Sequence, residues 1–282
     1  MTENTMIMKR LTRSFLRLMA CGLAAVLVFA AAGPASAFAT EVDPNYTPPP
    51  VYTSGDYSYY FNEDGETLTI EDYHGKEKDI VIPTEIDGYA VTGIGMQAFS
   101  YVKMDSLTVP EQIASIGYRA FEYCVVSESF VLPKNIRIGM NAFAYASLPD
   151  VILIPEGAQL EKCAFSYCRT GETVVVSPQA VIGKRCFGYS DRLTTVVCAD
   201  GAMVEEDAFE YCRALKQVIL CGDVAVDEDA FSYCRSAKIT QAAKDEFSRI
   251  LAELAIELPE SAPRQEAGPQ AESKGKTHTG IL

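Results

Sequence analysis

Apolar and polar positions along this chain repeat with a fixed period. Phenylalanine recurs at 99, 121, 143, 165, 187, 209 and 231, and every interval is 22 residues. The preceding residue is Ala in six copies and Cys186 in the other. Two residues after each phenylalanine stands a tyrosine: Tyr101, Tyr123, Tyr145, Tyr167, Tyr189, Tyr211 and Tyr233. Five residues before it stands Ile94, Ile116, Ile138, Leu160, Ile182, Val204 or Val226. Seven copies in one register imply stacked coils, each burying its apolar face against its neighbours. Between phenylalanines lie short runs of strand formers, such as Ile152-Leu153-Ile154, Val174-Val175-Val176 and Val218-Ile219-Leu220. They are too short for helices. The pattern predicts one strand per coil, joined into a parallel sheet, with seven coils spanning roughly 34 Å at ~4.8 Å per strand.

The ends of the pattern differ. Tyr57, Tyr59 and Phe61 alternate on one arm and Leu68 and Ile70 on another, with Asn62-Glu63-Asp64-Gly65 between them. This predicts a β-hairpin over 57–73 that caps the first coil. After Cys234, Phe247, Ile250, Leu251, Leu254 and Leu258 follow at helical spacing, with Thr240 as N-cap and Pro259 as stop. This predicts an amphipathic capping helix. Residues 38–55, with Pro44 and Pro48-Pro49-Pro50, read as an extended linker. Residues 259–282 have the composition of a disordered tail. The caps and coils together take residues 56–258.

Side chains of a strand alternate between two faces, which predicts where a partner docks. Phe130, Ile152, Val174, Val196 and Val218 keep the core register. Val131, Leu153, Val175, Val197 and Ile219 then point outward, with Ser129, Val151, Thr173, Thr195 and Gln217 two positions earlier on the same face. The result is an uncharged apolar stripe across five strands, edged by small polar groups. Monomers seldom expose such a patch without use, so these ten residues are the expected partner-binding surface. Strand propensity alone, or pairing of two copies, would also account for the stripe.

Charge and targeting narrow the setting. Lys9, Arg10, Arg13 and Arg17 precede an apolar run from Leu18 to Ala32 and the small-residue site Ala35-Ser36-Ala37. This order predicts a secretory signal peptide over 1–37, cut after Ala37, and hence a secreted or surface-located chain. Leu18-Met19-Ala20-Cys21 faintly matches a lipoprotein box, but Cys21 precedes most of the apolar run instead of following it. The remaining chain has 20 basic and 37 acidic residues, a net charge of −17. Nucleic acid and anionic membrane surfaces are disfavoured as partners, and no stable membrane insertion is expected after signal removal.

The candidate chemistry is sparse. With only His74, in the hairpin, and His278, in the tail, no histidine is expected beside a serine or cysteine nucleophile, so no catalytic residues are assigned. Eight cysteines remain after export. Cys124, Cys168, Cys212 and Cys234 share a slot with Val102, Ala146 and Ser190, which reads as a small core position; of these only Cys212 and Cys234 lie in adjacent coils, where a bridge remains open. Zinc is disfavoured for want of a Cys-x-x-Cys pair. Glu205-Glu206-Asp207 and Asp227-Glu228-Asp229 lack calcium-loop spacing, and Lys274-Gly275-Lys276-Thr277 lacks the upstream glycine of a phosphate loop. No metal or cofactor is expected. The tyrosines read first as a structural spine with hydroxyls in water and second as a sugar-stacking surface.

Segments such as Val109-Pro110-Glu111-Gln112-Ile113-Ala114-Ser115-Ile116-Gly117-Tyr118-Arg119-Ala120-Phe121-Glu122-Tyr123-Cys124 resemble the BspA-type, or treponemal-type, leucine-rich repeat. The lead-in from Ile80-Val81-Ile82-Pro83 through Gly88 to Val91-Thr92-Gly93-Ile94-Gly95 resembles its usual first repeat. The resemblance covers about 57–239. It weakens at Leu160-Glu161, Val204-Glu205 and Val226-Asp227, where the Ile-Gly pair is replaced, and in the last two strands, which lack the trailing proline. It implies a leucine-rich-repeat solenoid, a right-handed coil with a parallel β-sheet between an N-terminal hairpin cap and a C-terminal helical cap. It also implies a bacterial surface-exposed or secreted protein without catalytic residues that attaches to hosts, matrix or other cells; a host, matrix or envelope protein is the expected partner, and the tyrosine ladder leaves a glycan as the alternative.

Overall fold

The computed structural model describes residues 48–169 and 171–256. The predicted signal segment, the linker before residue 48, Leu258, Pro259 and the 259–282 tail lie outside the described residues. The chain forms a β-solenoid with three sheets. Each coil contributes more than the one strand read from the sequence. A two-residue strand holds the Ile-Gly region, as in Ser115–Ile116, Arg137–Ile138, Gln159–Leu160 and Val181–Ile182, and these pair in parallel from coil to coil. Two residues per coil are too few for a propensity signal, so sequence periodicity shows only a conserved apolar position there.

The longer strands build the expected parallel sheet over Val151–Ile154, Thr173–Val176, Thr195–Cys198, Gln217–Cys221 and Lys238–Ala242. Val125–Val131 does not join it. That strand instead pairs with Lys103–Thr108, which pairs with Asp79–Val81. Between the two groups only an isolated bridge links Val125 and Ser147. Pro149, two residues before the Val151–Ile154 strand, has no N–H to offer where the ladder would start.

A third hydrogen-bond ladder runs through the turns that carry the phenylalanines. The Gln97, Phe99 and Tyr101 amides donate to the Tyr118, Ala120 and Glu122 carbonyls of the next coil at 3.2, 2.8 and 2.9 Å. The alternate amides, of Ser100 and Val102, close four-residue turns onto the Gln97 and Phe99 carbonyls. This alternation needs left-handed backbone, and all seven tyrosines adopt it, with φ between 55 and 64°. For a residue with a Cβ that conformation costs ~1–2 kcal/mol. The hydrogen bond to the next coil and the stacking of successive rings, worth ~0.5–1.5 kcal/mol beyond area burial, offset it.

Inside, Phe99, Phe121, Phe143, Phe165, Phe187 and Phe209 are fully buried. Neighbouring rings stack 4.8–5.3 Å apart. Tyr73 of the N-terminal hairpin (Tyr57–Phe61 with Thr67–Tyr73) stacks on Phe99 at 5.1 Å and so seals the first coil. The hairpin begins earlier than expected: Tyr52–Ser54, inside the stretch read as linker, pairs antiparallel with Tyr57–Phe61. Tyr52 stacks on Tyr59 at 5.7 Å, which gives this edge an aromatic anchor.

The C-terminal helix also differs in place. Thr240, the expected N-cap, lies in the last strand, where Ile239 and Thr240 continue the β-branched register opposite Val218 and Ile219. A single 3₁₀ turn, Lys244–Glu246, leads into the α-helix Phe247–Glu253. The start signal is Glu246, whose carboxylate accepts the Ala243 amide at 3.2 Å. The helix caps the outer face of the sheet, not the end of the last coil. Ile250 and Leu251 are buried against Val175, Val197, Ile219 and Cys221, with Leu153, Phe247 and Ile256 packed at the margin. Lys244 Nζ on Asp200 Oδ2, at 2.7 Å, ties the approach to the sheet.

Candidate functional site

The ten residues expected to bind a partner do face away from the solenoid core, but helix Phe247–Glu253 divides them. Along Val151–Ile154 the alternation survives: Val151 is exposed, Ile152 buried, Leu153 half-buried and Ile154 buried. Along the next three strands it is filled in, because Val175, Val197 and Ile219 lie under the helix. Their expectation as accessible contact residues is therefore corrected: the stripe is apolar for the sake of an intramolecular partner. The sequence signal for this existed, since the helix's apolar residues are too many to close a single coil end, but nothing local says which surface they meet.

What stays accessible is the start of the stripe and its polar edge. Ser129 and Gln217 are exposed, Val131, Thr173 and Thr195 half-buried, and Val151 is 39% exposed. The three-stranded sheet extends this face in the other direction, through residues the sequence reading missed. Val81, Thr108 and Val131 are register partners, as are Asp79, Ser106 and Ser129. Val81 is 52% exposed, and Ser106 donates to Asp79 at 2.7 Å. Their strands are short and mixed in polarity, so only the pairing reveals the row.

The largest exposed aromatic feature lies elsewhere. The seven tyrosines form one stack, with ring centroids 4.3–5.0 Å apart and planes within 20°. Six of them are at least 37% exposed and Tyr211 is half-buried. The rings carry the left-handed residue of each turn, so the stack is structural; its faces are also available at the edges.

The shared small slot is a core position. Cys168, Cys212 and Cys234 donate their thiols to the Phe143, Phe187 and Phe209 carbonyls at 3.0–3.2 Å, and the eight described cysteines are free. Burial pushes the Cys198 thiol up to about 12 and raises Cys168 well above its ordinary value. Such thiols are poor nucleophiles.

The first acidic triplet, Glu205-Glu206-Asp207, is engaged by cations. Glu206 meets Lys184 at 2.6 Å and Asp207 meets Arg185 at 3.2 Å. Among the described residues no group of three or more His, Cys, Asp or Glu side chains is arranged to hold a metal ion.

His74 has a serine partner inside the hairpin. The hairpin register sets Ser58 opposite Asp72, and the His74 ring reaches back so that its Nε2 lies 2.8 Å from Ser58 Oγ and its Nδ1 3.8 Å from Asp72 Oδ2. A serine and a histidine do meet, because the hairpin folds residues 16 apart onto each other. The contact lacks the parts of a nucleophilic site. Ser58 is only 7% exposed, its hydroxyl is shared with Thr53 at 3.2 Å, and the carboxylate is beyond hydrogen-bond reach of the ring. It ties the first two strands to the third.

The chain matches the family described as BspA type leucine rich repeat region, in six copies over residues 76–194 and 127–238. It is similar to a leucine-rich repeat protein of T. pallidum, at 20% identity over 71% of this chain and 93% of that one, with a TM-score of 0.45. A leucine rich cell surface protein from Faecalibacterium prausnitzii is 15% identical over 72% and 97%, with a TM-score of 0.27. The pneumococcal vaccine antigen PcpA is 15% identical over 70% and 51%, with a TM-score of 0.43. No curated protein matches the sequence.

Proposed function

Because the chain belongs to the BspA-type leucine-rich repeat family, we propose that it is a non-catalytic module, exported to the bacterial cell surface or beyond it, that binds a protein through the uncovered part of its outer sheet face. The supporting observation is the row of outward residues that no element among the described residues covers: Val81, Thr108, Val131 and Val151, beside Ser106 and Ser129. Parallel strands hold these side chains at fixed spacing, so a partner meets a preorganised lattice and loses little entropy in ordering it. The row carries one carboxylate, Asp79, which accepts from Ser106, beside apolar and hydroxyl side chains, a mixture that fits a protein of the matrix, host or envelope better than an ionic ligand. Export rests on the basic, apolar and small-residue order of residues 1–37. Among the described residues no helix is long and apolar enough to cross a membrane.

The test is a pull-down of matrix and envelope proteins with the native chain and with Val131→Asp plus Val151→Asp. Both side chains are at the surface, so the fold is expected to persist. Capture is expected to fall about tenfold or more when two charges enter a hydrophobic contact. Undiminished capture by a folded double variant would mean that the partner binds elsewhere.

A second reading has its own support. The exposed tyrosine stack offers amphipathic rings of the kind that dock sugars, with hydroxyls near water. Carbohydrate binding lost in Tyr145→Ala plus Tyr167→Ala would place recognition there.

A further inference from the structure

We propose that the C-terminal end of the tyrosine stack is a binding site for an acidic saccharide, whose ring packs on Tyr233 and whose carboxylate or sulfate is held by Arg213 and Arg235. The proposal rests on the carbohydrate reading above and narrows it to one site and one ligand class.

Three observations converge there. The first is shape. Tyr211, Arg213, Tyr233, Arg235 and Ser236 line a cleft of about 440 Å³. The 22-residue period creates it by setting Arg213 and Arg235 at the same position of successive coils, two residues after their tyrosines. The second is the end of the stack. Tyr233 lies 4.3 Å from Tyr211 and almost parallel to it, and it is the last ring, so one of its faces has no following tyrosine. It is 56% exposed, the most exposed ring of the series. An open aromatic face beside water suits the apolar face of a sugar ring, which carries hydroxyls at its rim.

The third observation is charge. The chain has 38 acidic residues against 24 basic ones, and four of its other arginines are neutralised by carboxylates, while Arg169 and Arg192 stand apart from this cleft. Arg119 meets Glu122, Arg137 meets Glu161, Arg185 meets Asp207 and Glu210, and Arg249 meets Glu246. Among the described residues no carboxylate pairs with Arg213 or Arg235. The Arg213 guanidinium instead sits 5.7 Å from the Tyr211 ring centre, held by a cation–π contact that leaves its donors free. Two unpaired forks on adjacent coils of a strongly acidic molecule are a receptor for an anion, since arginine binds carboxylate and sulfate through paired N–H donors. Ser236 adds a hydroxyl at the rim. The lining contains neither a deep apolar pocket for a peptide side chain nor a free strand edge, so an acidic peptide fits less well.

The experiment follows tyrosine fluorescence, which no tryptophan masks, in 0.15 M salt, where the screening length is about 8 Å. The probes are a heparin-derived hexasaccharide, neutral cellohexaose and a polyglutamate peptide. The expected result is saturable binding of the sulfated hexasaccharide and far weaker binding of the other two. Arg213→Ser plus Arg235→Ser should weaken it about tenfold or more, and Tyr233→Ala should weaken it as well. Arg137→Ser plus Arg249→Ser removes the same charge from elsewhere and should leave affinity within about twofold. Equal losses in the two arginine pairs would mean nonspecific attraction and overturn the proposal, as would equally tight polyglutamate. Binding of cellohexaose that depends on Tyr145 and Tyr167 but not on the arginines would overturn this site and keep the carbohydrate reading. No binding of either saccharide would end both.

Discussion

Phe165→Ala is expected to lower stability by about 3–5 kcal/mol, the range for emptying a buried aromatic site. Phe165 is fully buried in a middle coil, with ring centres at 4.8 Å to Phe143 and 5.1 Å to Phe187, and Phe130 edge-on at 6.4 Å. Its removal leaves a gap that both neighbours border and that a hydrogen-bonded backbone cannot close. Its amide is tied to Cys186 of the next coil at 2.8 Å, so the chain cannot collapse inward. Thermal unfolding should shift down by roughly 10 °C for a chain of this size. Phe231→Ala, in the half-buried last ring, should cost clearly less. Equal melting of Phe165→Ala and the native chain would remove the ladder as the source of cohesion.

Ile250→Asp plus Leu251→Asp should have the second largest effect, and of a different kind. The two side chains are 6% and 3% exposed and together cover Val175, Val197 and Ile219. Full burial of such side chains is worth about 1.5–3 kcal/mol each, and a buried unpaired carboxylate would cost more than that, so the helix should leave the sheet. The solenoid hydrogen bonds are untouched, so far-ultraviolet circular dichroism should keep its strand signal. Binding of a hydrophobic dye should rise several-fold, and sedimentation should show self-association, because an uncovered apolar stripe seeks another surface. A variant that stays monomeric and dye-silent would mean that the helix does not shield the stripe.

These two cases mark where sequence reading succeeds and where it stops. The phenylalanine and tyrosine registers are legible because every coil repeats them, and one buried position per coil is a strong periodic signal. The outward set of Leu153, Val175, Val197 and Ile219 was also legible, since strands alternate their faces. Its occupant was not. Helical spacing at Phe247, Ile250 and Leu251 announces an apolar face but not the surface it meets, and Thr240 misled because its β-branched neighbours serve the last strand. The two-residue strands were hidden because they repeat only one apolar position. Lys103–Thr108 was hidden as part of the outer face because its pairing with Val125–Val131 carries a bulge between Met104 and Ser106, and Asp79–Val81 because its partners lie 27 residues on, off the 22-residue interval. The meeting of Ser58 with His74 comes from hairpin pairing, which composition does not disclose.

A protein partner docked on the outer face beyond the helix would lie within reach of Val131 and Val151. The most direct measurement of this docking places a photocrosslinking residue at Val131, at Val151, at Tyr167 on the tyrosine stack, and at Met203, which is 46% exposed on the short-strand side. Each version is illuminated with a protein captured by the native chain. A covalent adduct is expected from positions 131 and 151 and none from 167 or 203. Adducts from 167 or 203, with none from 131 and 151, would contradict this docking.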